Sequence, residues 1–162
     1  MGIIVGIDIG GSTTKIVGLD KGKLFSPLLV KATDPLSSVY GALGKFLNEN
    51  KLQLSDVDNV MVTGVGSSFI EGKIFSIPTY KVDEFLAIGR GGLSLSDLTR
   101  AIIVSMGTGT AYVIADGDRV QHIGGTGVGG GTLLGLSNRM LNIRNFSDLV
   151  DMAKDGNLSN VD

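Results

Sequence analysis

A string of residues near the start of the chain has the composition of a phosphate-binding turn. An acid, two glycines, three hydroxyl side chains and a lysine follow one another in the order Asp8-Ile9-Gly10-Gly11-Ser12-Thr13-Thr14-Lys15. Glycines allow backbone N–H groups to converge on an anion, hydroxyls add donors, and the aspartate can hold a hydrated Mg²⁺. A plain β-hairpin turn also uses Gly-Gly, but it requires neither the preceding acid nor the hydroxyl-rich string that ends in lysine. We therefore predict phosphate binding here.

Two further glycine-rich segments extend this pattern. The segment Ser105–Thr110 also follows a buried apolar run, and by itself it fits a hairpin turn equally well. Because it occupies a position equivalent to that of the first string, the pair predicts two turns that hold one polyphosphate from opposite sides. The run Gly124–Gly131 follows a predicted strand and precedes a predicted helix, so its N–H groups and the helix dipole could bind an anion. It contains the dinucleotide spacing Gly125-x-Gly127-x-x-Gly130, but the acid expected at the end of a second parallel strand is absent. No GxxxxGK[ST] sequence occurs in the chain.

Four charged or titratable residues have both a structural and a functional interpretation. Asp83 and Glu84 open a predicted helix, where acids complement the dipole, and one of them could instead be a general base for a substrate hydroxyl. Composition alone favours the capping role. His122 is the sole histidine and lies near the end of a predicted strand, where a structural role is more typical. Arg90 could bind a carboxylate or face solvent.

The composition excludes several classes of function. Fourteen basic and 16 acidic residues give a net charge of −2, which argues against a nucleic-acid partner. The absence of cysteine excludes disulfides, thiolate zinc sites and cysteine-ligated iron–sulfur clusters. The apolar runs are short and the start of the chain reads as a strand, so we expect no membrane association and a cytoplasmic location. The 25 glycines are clustered, Gly89 with Gly91 and Gly92 among them, which predicts sharp turns or close approach to a ligand.

The predicted elements repeat. The order strand, glycine turn, strand, turn, strand, helix occurs first as Ile3–Ile9, Thr13–Leu19, Lys23–Val30 and Ser37–Asn48, with the three strands antiparallel. It occurs again as Ala101–Ser105, Ala111–Ala115, Arg119–Ile123 and the helices Thr132–Leu141 and Phe146–Lys154. Short strands Val60–Thr63 and Tyr80–Val82 and a helix Asp83–Leu93 lie between the copies. We predict two units, residues 1–98 and 99–162, and expect a continuation that completes the second, supplied by a longer protein, another chain or a dimer mate.

At this point the residues resemble a known family. The string Asp8–Lys15 is similar to the first phosphate motif of the actin-like ATPase superfamily, which also contains sugar kinases and Hsp70. The segments Val104–Tyr112, His122–Ser137 and Phe146–Gly156 look like those of the type II, or eukaryote-like, pantothenate kinases. The resemblance implies an α/β fold: a ribonuclease H-like (actin-like ATPase) domain followed by the beginning of a second, incomplete one.

The resemblance also implies an activity, the ATP-dependent phosphorylation of pantothenate that begins coenzyme A synthesis, with ATP and Mg²⁺ as cofactors. By this resemblance Glu84 is the catalytic base, and Asp8 holds the metal through water. The implied nucleotide-binding residues are Asp8, Ile9, Gly10, Gly11, Ser12, Thr13, Thr14, Lys15, Thr108, Gly130, Gly131, Thr132, Leu133, Leu134 and Phe146. The implied substrate-binding residues are Thr108, His122 and Thr126, although relatives often place an arginine where His122 stands.

Other assignments stay open from the sequence. One is another kinase of the superfamily, such as an amino-sugar kinase. A second is a dehydratase-activating ATPase, whose iron–sulfur cysteines are missing here. A third is a truncated module that binds nucleotide or coenzyme A thioesters without turnover, and a dinucleotide-binding protein is a more distant alternative. For the kinase we expect pantothenate as partner, coenzyme A or acyl-CoA as inhibitor, and a homodimer.

Overall fold

The computed structural model describes residues 2–31 and 34–160, and it confirms the predicted α/β architecture. The described residues form eight strands and four α-helices. In chain order these are β1 Ile3–Ile9, β2 Thr13–Asp20, β3 Lys23–Lys31, α1 Pro35–Asn50, β4 Val57–Thr63, β5 Thr79–Lys81, α2 Glu84–Ser96, β6 Arg100–Met106, β7 Thr110–Asp116, β8 Arg119–Thr126, α3 Gly130–Leu141 and α4 Phe146–Lys154. Short 3₁₀ turns cover Leu54–Asp56, Val65–Phe69 and Leu158–Asn160. Residues 1, 161 and 162, at the ends of the two predicted units, lie outside the described part.

The first sheet has the strand order β3-β2-β1-β4-β5. Strands β1, β2 and β3 are antiparallel neighbours, as predicted, while β4 and β5 run parallel to β1. One face of the sheet is apolar because alternate residues of β1 point the same way, and Val5, Ile7 and Ile9 of that face are completely buried. Helix α1 covers this face with Val39, Ala42, Leu43 and Phe46. The opposite face of β1 carries Asp8.

Local chemistry explains where α1 begins. The carboxylate of Asp34 accepts a hydrogen bond of 2.7 Å from the backbone N–H of Ser37, and Pro35 occupies the first helical turn. The helix therefore begins two residues before the predicted Ser37. Helix α1 ends at Asn50, and Lys51 follows in the left-handed conformation. The backbone N–H of Lys51 donates to the last carbonyls of the helix.

The second sheet contains β6, β7 and β8 as antiparallel neighbours. Helix α2 packs across all three strands, although it precedes them in the chain. Its glycines make this possible, because a Cβ at Gly89 would lie 2.6 Å from Val120 and one at Gly92 would lie 2.6 Å from Ile103. The interpretation of this glycine cluster as a turn or ligand contact is therefore wrong: these residues lie inside a helix that packs closely on a sheet. The division at residues 98 and 99 stays a prediction from chain order.

Several predicted boundaries shift. Strand β4 begins at Val57 and not at Val60, because the parallel pairing with β1 already includes Val57 and Asn59, with Asp58 at a register shift between them. The polar side chains of Asp58 and Asn59 hid this part of the strand. Strand β8 continues through two glycines to Thr126, since Gly125 lies so close to β7 that a Cβ would be 2.5 Å from the carbonyl oxygen of Thr110. In the described residues no helix is both long and apolar enough to cross a membrane.

Candidate nucleotide and substrate cleft

A cleft of 1110 Å³ lies where the glycine-rich turns and two helix N-termini meet. Its walls come from the β1–β2 turn, the β6–β7 turn and the first residues of α2 and α3. Fourteen of the residues implied by the family resemblance line it: Asp8, Gly10, Gly11, Ser12, Thr13, Lys15, Glu84, Thr108, His122, Thr126, Gly130, Gly131, Leu134 and Phe146. The structure thus brings together residues from both predicted copies.

The remaining four predicted residues do not line the cleft. Ile9 and Thr14 are completely buried on the α1 side of the sheet, since the strand alternation that exposes Asp8 and Lys15 turns their neighbours inward. The side chain of Thr132 is hydrogen-bonded within the protein, and Leu133 is exposed on α3 but is not among the residues that line the cleft. For these four residues the structure shows no side-chain access to a cleft ligand.

The β1–β2 turn positions an ion pair at the floor of the cleft. Asp8 and Lys15 are opposite each other in the antiparallel register, and Lys15 Nζ lies 2.7 Å from Asp8 Oδ2. The N–H of Gly10 donates to the carbonyl of Thr13 at 3.0 Å, so this donor closes the turn and is not directed at a ligand. Gly64, after β4, has a φ of +82°, and a side chain there would overlap Asp8 Oδ1. Gly10, which closes the turn, and Gly64, which leaves room for the carboxylate, therefore both help to position Asp8.

The two predicted phosphate turns meet across the cleft. Ser12 Oγ and Thr108 Oγ1 are 3.2 Å apart, although 96 residues separate them in sequence. The β6–β7 turn that carries Thr108 is closed by the N–H of Gly107, which donates to the carbonyl of Gly109 at 2.8 Å. The two hydroxyls and the Lys15 ammonium all line the cleft, and they are the kinds of donor that a phosphate group requires.

The glycine run packs against the β6–β7 turn. A Cβ at Gly129 would lie 2.5 Å from the carbonyl oxygen of Gly109, and one at Gly131 would lie 2.9 Å from Thr108 Cα. The N–H groups of Gly131 and Thr132 donate to the carbonyls of Gly107 and Thr108 at 3.2 and 3.1 Å. These two donors at the start of α3 are therefore engaged within the protein, contrary to the expectation that they would bind an anion. The glycine run therefore holds α3 against the β6–β7 turn.

The side-chain hydroxyl of Thr132 strengthens that packing. Its Oγ1 donates to the carbonyl oxygens of Gly127, at 2.6 Å, and Thr108, at 2.9 Å. Thr110 Oγ1 donates to the carbonyl of Val128 at 2.8 Å, and Thr126 Oγ1 accepts from the N–H of Val128 at 3.2 Å. The hydroxyls of Thr110, Thr126 and Thr132 thus link the glycine run and the start of α3 to the second sheet. The glycines allow these backbone segments to approach closely enough.

Glu84 begins α2 at the rim of the cleft. The preceding residue, Asp83, is the helix N-cap, since its carboxylate accepts a 2.9 Å hydrogen bond from the N–H of Leu86. Partial burial raises the pKa of the Glu84 carboxyl, and the negative charge of Asp8 raises it further. The positive charge of Lys15 lowers the pKa of Glu84, and Asp83 raises it again. Asp83 therefore has a structural partner, while Glu84 faces the cleft and interacts with the Asp8–Lys15 pair.

Two rings form part of the wall beside Glu84. His122 on β8 stacks on Phe85 of α2, with ring centroids 4.0 Å apart and an angle of 11° between the planes. Both residues line the cleft, so the stack on Phe85 fixes the position of the imidazole ring in the cleft wall. Arg90, one helical turn and a half further, forms an ion pair with Asp118 at 2.9 Å and holds α2 against the β7–β8 turn. Arg90 therefore binds a carboxylate of the protein itself, and it is not among the residues that line the cleft, where a ligand carboxylate would lie.

The sequence missed several lining residues. Lys31 ends β3 beside Thr13, and Arg144 lies between α3 and α4 next to Phe146. Ile88, Gly135 and Asn138 contribute the sides of α2 and α3 that face the cleft. The antiparallel register of β2 and β3 could have placed Lys31, because residues opposite each other share a face. Arg144 gave no local signal, since its place depends on how α3 and α4 pack.

Comparison with solved structures supports the fold class. The activator of 2-hydroxyisocaproyl-CoA dehydratase from Clostridium difficile, with bound ADPNP, matches 96% of this chain and 57% of its own, with a TM-score of 0.76 and 19% identity. Component A of (R)-2-hydroxyglutaryl-CoA dehydratase from Acidaminococcus fermentans matches 97% of this chain and 60% of its own, with a TM-score of 0.73 and 17% identity. At these identities the similarity concerns the fold alone. The strand order and the facing turns define an actin-like ATPase fold.

Sequence comparison gives the family. The Fumble family model matches residues 30–162. The type II pantothenate kinase of Staphylococcus aureus strain USA300 is 31% identical over 164 aligned positions, which cover 98% of this chain and 57% of that protein. The enzyme of the bovine strain RF122 is 30% identical over the same coverage. The chain belongs to the Fumble family, which is the type II pantothenate kinase family that its sequence resembles, and it spans somewhat more than half the length of the curated relatives that it matches.

Proposed function

We propose that this chain provides the phosphate-binding part of a type II pantothenate kinase, which transfers the γ-phosphoryl group of ATP to the primary hydroxyl of pantothenate. The observation that carries the proposal is Glu84, a carboxylate of raised pKa on the wall of the cleft, beside Asp8 and Lys15 and across from the second turn. A kinase of this kind requires a base near the acceptor hydroxyl and donors that meet the phosphoryl charge. The similarity to the Staphylococcus aureus enzymes supports the choice of pantothenate.

The proposed chemistry uses the residues of the cleft as follows. The Glu84 carboxylate accepts the proton of the substrate hydroxyl. The oxygen of that hydroxyl forms a bond to the γ-phosphorus of ATP, and the bond between that phosphorus and the ADP oxygen breaks. Lys15, Ser12 and Thr108 donate to the phosphoryl oxygens and so stabilise the charge that shifts during transfer. A raised pKa makes Glu84 a stronger proton acceptor than an ordinary carboxylate, provided that it is ionised at the working pH.

The site also fits a Mg²⁺ ion held through water. Mg²⁺ usually keeps several waters and binds one or two carboxylates together with substrate phosphates. Asp8 faces the cleft and gives one oxygen, Oδ2, to Lys15, and no side-chain hydrogen bond to Oδ1 occurs among residues 2–31 and 34–160, so Oδ1 would be the oxygen for a hydrated ion. The ion would supply charge neutralisation for the nucleotide phosphates.

We also propose which residues bind the substrate and how the protein is regulated and assembled. His122, fixed by its stack on Phe85, together with Thr108 and Thr126, would bind the polar groups of pantothenate. We further propose inhibition by coenzyme A or acyl-CoA, a homodimer and a cytoplasmic location, which rest on the family resemblance alone.

The test is a phosphorylation assay with ATP and a panel of acceptors. Phosphopantothenate formation is followed by mass spectrometry, with glucose and N-acetylglucosamine as competing acceptors. The assay is run on the 162-residue chain and on the chain joined to the part of the Staphylococcus aureus relative that lies outside the matched region. Formation of phosphopantothenate with either protein supports the proposal. Phosphorylation of a sugar in its place, or ATP binding by titration with no transfer in either protein, contradicts it.

The raised pKa of Glu84 predicts the acid side of the pH profile. A base is inactive when protonated, so kcat/KM should fall as the pH drops through the pKa of Glu84, at a higher pH than an ordinary glutamate would give. Asp83→Asn removes a negative charge that raises this pKa, while asparagine caps the helix equally well. We expect this variant to remain active and its acid limb to move to lower pH. An acid limb that stays in place or moves upward would contradict the assignment of the limb to Glu84.

A further inference from the structure

We propose that Lys31 is a further phosphate-binding residue of the cleft, one that contacts the polyphosphate of the nucleotide. The inference rests on the proposed nucleotide binding and adds to it a residue at the edge of the first sheet. Lys31 is the last residue of β3, its side chain is exposed, and it lines the cleft.

The strand register places Lys31 on the same face as the first phosphate turn. Lys31 is opposite Thr13 in the β2–β3 pair, and Leu29 is opposite Lys15. Residues opposite each other in an antiparallel pair share a face, so Thr13, Lys15 and Lys31 point to one side of the sheet. Asp8, opposite Lys15 on β1, points to the same side. The α1 side, by contrast, buries Thr14 and Ile16. Lys15 and Lys31 are diagonal neighbours, for which the typical separation is about 7–8 Å.

The charges on this wall show what Lys31 adds. The Lys15 ammonium lies 2.7 Å from Asp8, so these two charges neutralise each other. Glu84 adds a negative charge that interacts with the same pair. The side chains of Asp8, Lys15 and Glu84 by themselves therefore carry a net negative charge, so a further side-chain cation would favour a polyphosphate that arrives with its Mg²⁺. Lys31 forms no ion pair within residues 2–31 and 34–160, and it supplies the missing positive charge. Arg144, the other such cation of the cleft, lies on the α3–α4 wall beside Phe146.

The strand itself provides a matched control. Lys23 begins β3 opposite Asp20, at the other end of the same strand, and it is exposed but does not line the cleft. Replacing either lysine with methionine keeps the length and the apolar stem of the side chain and removes only the charge. A general effect of one lost positive charge on the protein would therefore appear equally in Lys23→Met and Lys31→Met.

The experiment measures binding of ATP, ADP and AMP by isothermal titration to the unmodified chain and to Lys31→Met, Lys31→Arg and Lys23→Met. We expect Lys31→Met to weaken ATP binding by a factor on the order of ten, as for the loss of one charge-assisted hydrogen bond. The loss should be smaller for ADP and absent for AMP, while Lys31→Arg and Lys23→Met bind like the unmodified chain. Circular dichroism confirms that each variant is folded.

The outcomes separate this inference from the proposed function. If the unmodified chain binds ATP and Lys31→Met binds it equally well, the role of Lys31 is wrong and the nucleotide site stands. An equal loss for AMP and ATP also overturns it, because the effect would not depend on the polyphosphate. If neither the unmodified chain nor the protein joined to the Staphylococcus aureus part binds any of the three nucleotides, the proposed function itself fails, and the inference fails with it.

Discussion

Replacing Glu84 with glutamine is expected to reduce kcat by roughly 10²- to 10⁴-fold, the usual contribution of a general base. Glutamine has nearly the same shape and can still accept a hydrogen bond, but it cannot take up the proton of the substrate hydroxyl. KM for ATP should change little, because the Lys15, Ser12 and Thr108 donors remain in place. The measurement is steady-state kinetics of phosphopantothenate formation, in whichever of the two proteins described above turns over.

Asp83→Asn is the matched control for this variant. It makes the same chemical change one residue earlier, where the carboxylate caps α2 through the N–H of Leu86 and asparagine can replace it. We expect kcat at neutral pH to stay within about a factor of two of the unmodified protein, since helix N-cap changes between these two residues cost little. Full activity in the Glu84→Gln protein would remove Glu84 as the base, and an equal loss in both variants would indicate a structural effect at the start of α2.

The parts of the fold that sequence could predict are those specified by neighbouring residues. The strand–turn–strand order at Asp8–Lys15 is local, because β-branched alternation gives the strands and Gly-Gly gives the turn. The start of α2 is also local, since an acid pair before an apolar periodic stretch indicates a helix N-terminus. The first feature placed Asp8 and Lys15 in the predicted phosphate site, whereas Glu84 entered the site only through the family resemblance; all three line the cleft.

Features that depend on packing between distant segments were missed or misread. A cluster of glycines such as Gly89 and Gly92 is typical of a turn, yet both lie in a helix. Their small size is explained only by the proximity of Val120 and Ile103. The N–H groups of Gly131 and Thr132 would be free at an isolated helix start, but the β6–β7 turn supplies carbonyls to both. Arg144 enters the cleft because α3 and α4 pack together. No pattern within a few residues carries such information.

The glycine run illustrates this dependence, and it leads to the second prediction of large effect, Gly129→Ala. Gly129 is buried and caps α3 in an extended conformation that any residue adopts, so the effect of substitution comes from space alone. The new Cβ would lie 2.5 Å from the carbonyl oxygen of Gly109 and 2.7 Å from that of Thr108, and backbone atoms cannot move aside individually. We expect the free energy of unfolding to fall by about 1–3 kcal/mol, as for other overpacked sites.

The loss of function should exceed the loss of stability, because the displaced atoms belong to the turn that carries Thr108. Moving that turn separates Thr108 from Ser12 and opens the set of phosphate donors, so ATP binding should weaken at least tenfold, an expected loss of roughly 1.4 kcal/mol or more. Thermal unfolding measures the loss of stability, and ATP titration measures the loss of binding.

Gly127→Ala is the control: it lies in the same run, yet a Cβ there meets nothing within 4 Å. Its stability should stay within about 0.5 kcal/mol of the unmodified protein. If Gly129→Ala and Gly127→Ala behaved alike, the run would act as a flexible loop, and the close packing of α3 on the β6–β7 turn would not be what shapes the phosphate site.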